Sequence, residues 1–259
     1  MQLAYLPQSV RIEFLKNRKT AAFWLSVAGA AFVPTLMLIA YLWKNTQNFI
    51  PPGLKNTAWD IFFGRAWGIE IVLFLPFYVV LINSLVVNTE HRSNTWKYVF
   101  TQPFPKWSVW TGKLIGVQAL ILFHFALFGV LVLTNGWILS LVDERYGFGR
   151  TTPDLLLFWK MIGKTYLATL GLSGIHFWLA SRLRNIILPI GMALVGMVLS
   201  GLALQANWAY IDWFPYSYTL LSVKDAKAPI PARHEWIAIG YFIVLNVAGY
   251  FDISRRNMG

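Results

Sequence analysis

The stretch Leu114–Val142 reads LIGVQALILFHFALFGVLVLTNGWILSLV and carries no Asp, Glu, Lys or Arg. A helix rising 1.5 Å per residue needs about 20 such residues to cross roughly 30 Å of hydrocarbon. In lipid the backbone must satisfy its own hydrogen bonds, so an unbroken apolar run of this length is a spanning helix. The alternation expected of a membrane barrel strand is missing from it.

Working outward, apolar runs of spanning or near-spanning length recur at Ala21–Trp43, Trp67–Val87, Leu155–Ala180, Ile186–Leu204 and Trp236–Phe251. The expectation is an all-α integral membrane protein, a single bundle of six transmembrane helices over residues 1–259. Composition agrees. The chain is 57% hydrophobic and 13% charged, against about 45–50% and about 25% in soluble domains. That much apolar surface requires lipid as part of the solvent.

There is no cysteine, which excludes disulfides, thiolate metal sites and cysteine nucleophiles. The net charge of +11 is scattered at the ends of the apolar runs and forms no basic stripe. It is read as contact with the membrane surface and not with nucleic acid. With the N-terminus inside, Arg11, Lys16, Arg18, Lys19, Arg92, Lys97, Lys106, Lys113, Arg182, Arg184, Arg255 and Arg256 fall on the cytoplasmic side, close to the spans. The positive-inside rule then places both termini in the cytoplasm. Ala28-Gly29-Ala30 resembles a small-residue cleavage site, but the apolar run continues past it, so the first run reads as an uncleaved span.

Ahead of that span, Leu3, Leu6, Val10 and Phe14 recur at helical spacing, with Arg11, Glu13 and Lys16 between them. Residues 1–20 are expected to form an amphipathic helix lying at the interface, with Pro7 in its first turn. The segment 205–235 is aromatic, with Trp208, Tyr210, Trp213, Phe214, Tyr216 and Tyr218. Short helices at the outer interface are expected there.

Between the second and third spans lies Thr89-Glu90-His91-Arg92-Ser93-Asn94-Thr95-Trp96-Lys97-Tyr98-Val99-Phe100-Thr101-Gln102-Pro103. It is polar, then amphipathic, then stopped by proline. Trp96, Val99 and Phe100 share one face of a short helix, which suits docking on a soluble partner. The succession Glu90, Thr95, Pro103 and Gly112-Lys113 resembles the first cytoplasmic loop of type-2 ABC transporter permeases. The likeness extends to the N-terminal helix, the six spans and the segment Trp213-Phe214-Pro215-Tyr216, with Asn94 where the family often has Gly.

This resemblance implies the permease subunit of an ABC-type exporter in a bacterial inner membrane. Glu90, Arg92, Thr95, Trp96 and Lys97 would form a coupling helix against a separate ABC ATPase subunit, which would hold ATP and magnesium; this chain itself would carry no cofactor, metal or catalytic residue. The resemblance also implies a dimer with a second permease. Ser26 and Ala30 in the first span, and Gly196 and Ser200 in the fifth, are small residues that permit close helix approach and are candidate dimer contacts, although packing within the chain accounts for them as well.

Gly163-Lys164-Thr165 ends like a phosphate loop, but Trp159 stands where glycine is required. Gly171-Leu172-Ser173-Gly174 matches the nucleophile motif of rhomboid-like intramembrane serine proteases, yet the sixth span holds no His to act as base. That protease, and a non-transporting membrane scaffold, are the alternatives. Within the spans, Glu70, His124 and Lys164 are candidate pathway residues, because charge at depth faces a cavity or a partner. A Glu70–Lys pair is one expectation; for Lys160 it is snorkelling to the interface. Pro34, Pro76 and Pro189 are expected to bend their helices.

Overall fold

The computed structural model describes residues 5–43, 58–92, 105–183, 185–226 and 228–255. Their regular structure is entirely helical. In chain order it comprises α1 (Tyr5–Asn17), α2 (Ala21–Trp43), α3 (Ala58–Ile69), a π-helical turn Glu70–Phe74, α4 (Leu75–Arg92), α5 (Lys106–Val142), α6 (Leu155–Arg182), α7 (Ile187–Gln205), α8 (Tyr218–Lys224) and α9 (Arg233–Arg255). Helices α2, α5, α6, α7 and α9 are long and apolar enough to cross a membrane, and α3 with α4 makes one further, bent candidate.

The bend has a local cause. Pro76 has no N–H and its ring crowds the carbonyl four residues back, inside the turn Glu70–Phe74. The chain widens there by one residue: Leu75 N–H bonds to Glu70 O, five positions back. The two halves meet at 49°. The helix also starts at Ala58, well before the apolar run Trp67–Val87, because Asp60 and Arg65 dilute the hydropathy of its first turns. Arg65 is held by Tyr41 Oη at 3.1 Å.

Helix α5 has 37 residues, about 55 Å of length, and so projects beyond the hydrocarbon. Its first turns carry α1 along one side and meet the end of α9, where Lys106 Nζ donates to Ser254 O at 3.2 Å. Both described chain ends therefore lie at the same end of the bundle. The opposite end is closed by Trp59, whose indole N–H donates to Phe148 O at 3.1 Å and Thr151 O at 3.0 Å.

Helices α6 and α9 pack along most of their length. Added Cβ atoms on Gly171 and Gly174 would stand 3.3 Å from Ala238 Cα and 2.9 Å from Phe242 Cα respectively. Two backbones approach here as only glycine allows. The aromatic segment after α7 forms short turns at Ile211–Trp213 and Pro215–Ser217 before α8, in keeping with its sequence.

Helix α1 is seated on the bundle by its polar side. The stripe Ser9, Glu13 and Asn17 is buried, while Ile12, Phe14 and Leu15 are exposed. Its polar seam faces the protein and its apolar residues face outward. The reason is the surface it meets, which offers Ser108, Gly112, Lys113 and Gly116 of α5.

Candidate functional site

The polar seam of α1 converges on one lysine. Lys113 Nζ lies 3.0 Å from Glu13 Oε2, and both side chains are buried. The same ammonium donates to Val86 O of α4 at 3.4 Å. Glu13 also takes Lys16 at 3.1 Å, so its carboxylate is shared by two cations. One turn away, Ser9 Oγ donates to Ser108 Oγ at 3.2 Å. A Cβ on Gly112 would lie 3.0 Å from Ser9 Cβ and 3.1 Å from its carbonyl carbon, so the bare glycine is what lets α1 sit this close. Lys113 thus joins three elements: α1, α4, which precedes residues 93–104, and α5, which follows them. A buried ion pair offsets its desolvation only with good geometry and added hydrogen bonds, and here the backbone carbonyl supplies one.

Deeper in the bundle, Glu70 and His124 meet with Oε1 to Nε2 at 2.9 Å, both buried. Glu70 opens the π-helical turn, a place where side chains are often aimed at functional contacts. The Tyr78 ring stacks on His124 with centroids 4.1 Å apart. Tyr78 Oη donates to Leu120 O at 2.8 Å and lies 2.9 Å from Ser26 Oγ. The expected Glu70–Lys pair is replaced by this one.

Lys164 lies instead against Glu235, with Nζ to Oε1 at 3.1 Å and both side chains fully buried. Its ammonium also reaches Pro229 O at 3.3 Å. Glu235 Oε2 accepts from Ala232 N at 2.7 Å, capping the start of α9. The candidate pathway residues Glu70, His124 and Lys164 therefore divide between two separate pairs. Lys160 is half-buried.

A third cluster surrounds Ser173. Its hydroxyl accepts from Gln118 at 2.8 Å and from Asn83 at 3.2 Å, knitting α4, α5 and α6. Tyr166 Oη extends the network to Gln118 Oε1 at 3.4 Å. His176 Nε2 is directed to Tyr216 Oη at 3.1 Å. Among the described residues no imidazole bonds Ser173, and Gly171 and Gly174 serve the α6–α9 contact. The motif acts as interhelical packing and lacks the base that a serine nucleophile requires.

Thr95, Trp96 and Lys97 lie outside the described residues, and Glu90 and Arg92 belong to the final turns of α4. The small residues Ser26, Ala30, Gly196 and Ser200 are each placed against their own chain. Ala30 is fully buried and Ser26 bonds Ala22 O and Tyr78. Gly196 lies under the Tyr216 ring, and Ser200 donates to Met197 O at 2.7 Å.

The profile of a family described as "ABC-2 family transporter protein" matches residues 9–200. The chain belongs to that family. The match begins at Ser9 on the α1 seam and ends within α7, so this ABC-2 chain carries the Lys113 junction, the Glu70–His124 pair and the Ser173 cluster within its family region. No curated protein matches the chain. As an ABC-2 protein it is a multi-pass membrane component of a transporter.

Sequence reasoning had not singled out Glu13, Tyr78, Asn83, Gln118 or Glu235. One signal was available for Glu13: Ser9, Glu13 and Asn17 recur every four residues, a polar stripe as regular as the apolar one.

Proposed function

We propose that this chain is the six-span permease subunit of an ABC exporter, with both termini in the cytoplasm. A separate ATPase, carrying ATP and magnesium, drives it through the loop after α4. Residues Glu90, Arg92, Thr95, Trp96 and Lys97 make the contact. The observation that carries this reading is the Lys113 junction. It ties Val86 on α4 and Glu13 on α1 to α5, so a push on the loop is delivered to three elements together. Glu70 and the π-helical turn lie further along the same bent span, paired with His124 of α5, where a change of bend would be felt.

Pairing with a second permease runs across α2 and α7, whose outward faces carry Phe32, Leu36, Ile39, Val195, Val198 and Leu202. Ser26, Ala30, Gly196 and Ser200 set the close packing behind those faces.

The test is affinity purification of the tagged chain in mild detergent from its native host. A stoichiometric ATPase should come with it and be lost in the folded Glu90→Ala/Trp96→Ala variant. Failure to recover any ATPase, under conditions that keep other membrane complexes whole, would sink the proposal.

A further inference from the structure

Between α1, α2 and α5 runs an open groove of about 320 Å³. Its floor is Gly116, Ala119, Leu120 and Phe123 of α5, with Phe14 and Leu15 of α1 on one wall and Phe23 of α2 on the other. The lining is almost wholly apolar, except at one end, where Asn17 and Arg18 stand. From Gly116 to Phe123 the floor rises about 10 Å along the helix, ending where Phe23 stacks on Phe123 at 5.8 Å. The groove thus begins at a cation beside the α1–α2 turn and leads into the hydrocarbon level of two spans.

We propose that this groove binds one anionic diacyl phospholipid, an acyl chain along the floor and its phosphate on Arg18. Three observations meet here. Phe14 and Leu15 are 51% and 60% exposed, which places this flank of α1 against lipid and not in water. Asn17 is buried and turned to the protein, leaving Arg18 as the exposed polar group at the mouth. Charge complementarity then selects the headgroup. Arg11, Lys16, Arg18 and Lys19 are the cations of this segment and Glu13 its one carboxylate, already neutralised by Lys113 and Lys16. A guanidinium pairs a phosphate diester through two parallel N–H donors. A zwitterionic headgroup brings its own cation, so it gains less from this mouth.

Native mass spectrometry of the purified chain tests this, with phosphatidylglycerol and phosphatidylcholine of identical acyl chains as probes. The first phosphatidylglycerol should bind about fivefold tighter than phosphatidylcholine, the contribution of roughly one well-placed cation. Arg18→Gln should abolish that preference by weakening phosphatidylglycerol about fivefold more than it weakens phosphatidylcholine. Ala119→Phe, which fills the floor, should weaken both lipids. Glycerol phosphate without acyl chains should not compete; competition would assign the mouth to free phosphate and overturn the lipid. Equal binding of the two lipids to the unaltered chain, or a preference that survives Arg18→Gln, overturns the proposal. Unchanged thermal unfolding of both variants shows that neither acts by misfolding.

Discussion

Glu13 and Lys113 stand 100 residues apart in sequence and 3.0 Å apart in space, each almost wholly buried. Breaking such a pair from one side strands a charge, at about 3–5 kcal/mol, whereas apolar replacement of both is often neutral. Lys113→Met leaves Glu13 with only the part-exposed Lys16, so it should destabilise the detergent-solubilised protein by less than that full amount, and Glu13→Leu/Lys113→Met should recover most of the loss. Thermal unfolding of the four proteins checks this; simple additivity would show that the two residues do not act as a pair.

Gly112 sets how closely α1 can approach. Gly112→Val should lift α1 off α5, since the added carbon meets the Ser9 backbone at 3.1 Å. The chain has no cysteine, so Ser9→Cys alone provides a clean probe. Its labelling by a polar maleimide should speed up several-fold in the Gly112→Val background. An unaltered rate would mean that α1 is not seated by this glycine.

Gly174 and Gly163 lie on the same helix and should respond differently. Gly174→Ala places a carbon 2.9 Å from Phe242 Cα, whereas at Gly163 nothing stands within 4 Å. The first should cost about 1–3 kcal/mol through overpacking. The second should be neutral or stabilising by up to about 1 kcal/mol through helix propensity. Equal effects on thermal unfolding would contradict the close α6–α9 approach.

Glu70 is the partner of His124, and Glu70→Leu should leave the imidazole buried without that partner, at about 1–3 kcal/mol. Glu70→Gln keeps a hydrogen-bonding group and should lose less. If the two substitutions are equally harmful, charge and not hydrogen bonding holds the junction together.

Burial pushes the Tyr216 hydroxyl from its ordinary value of 10.0 up to about 12. The folded state then keeps its proton after the unfolded chain has lost it. The contribution is fully present below pH 10 and is lost as pH rises through about 12. Tyr216→Phe should show a shallower fall in unfolding temperature over that window than the unaltered chain. An identical slope would remove Tyr216 from the alkaline transition.

The spans were legible because hydropathy is a local property: Leu114–Val142 declares itself without reference to anything else in the chain. Ion pairing is not local. Glu70, Lys160 and Lys164 lie at comparable positions along their spans, which suggested a Glu70–Lys pair. Helix rotation turns Glu70 to His124 and Lys164 to Glu235. The same limit governed α1. Its apolar positions pointed to an interfacial helix, but which face meets protein depends on Gly112 and Lys113, far along the chain. The π-helical turn is partly legible in hindsight, since Pro76 marks where the ladder must change, but its displacement towards Glu70 is set by packing. At Ser173 a short pattern resembles a nucleophile motif, but the lack of a His in the sixth span already favours packing, and the fold uses the motif for contact.

The separation between Glu13 and Lys113 also orders how the chain is made. At about 5–20 residues per second, Lys113 leaves the ribosome roughly 5–20 s after Glu13. Until then α1 has no counter-charge to close upon and no glycine seat to enter. Its acidic residue must stay in contact with water while two spans are inserted beside it. Helix α1 thus waits for a seat that is made about 100 residues after Glu13, and nascent chains arrested before residue 113 should present it to protease.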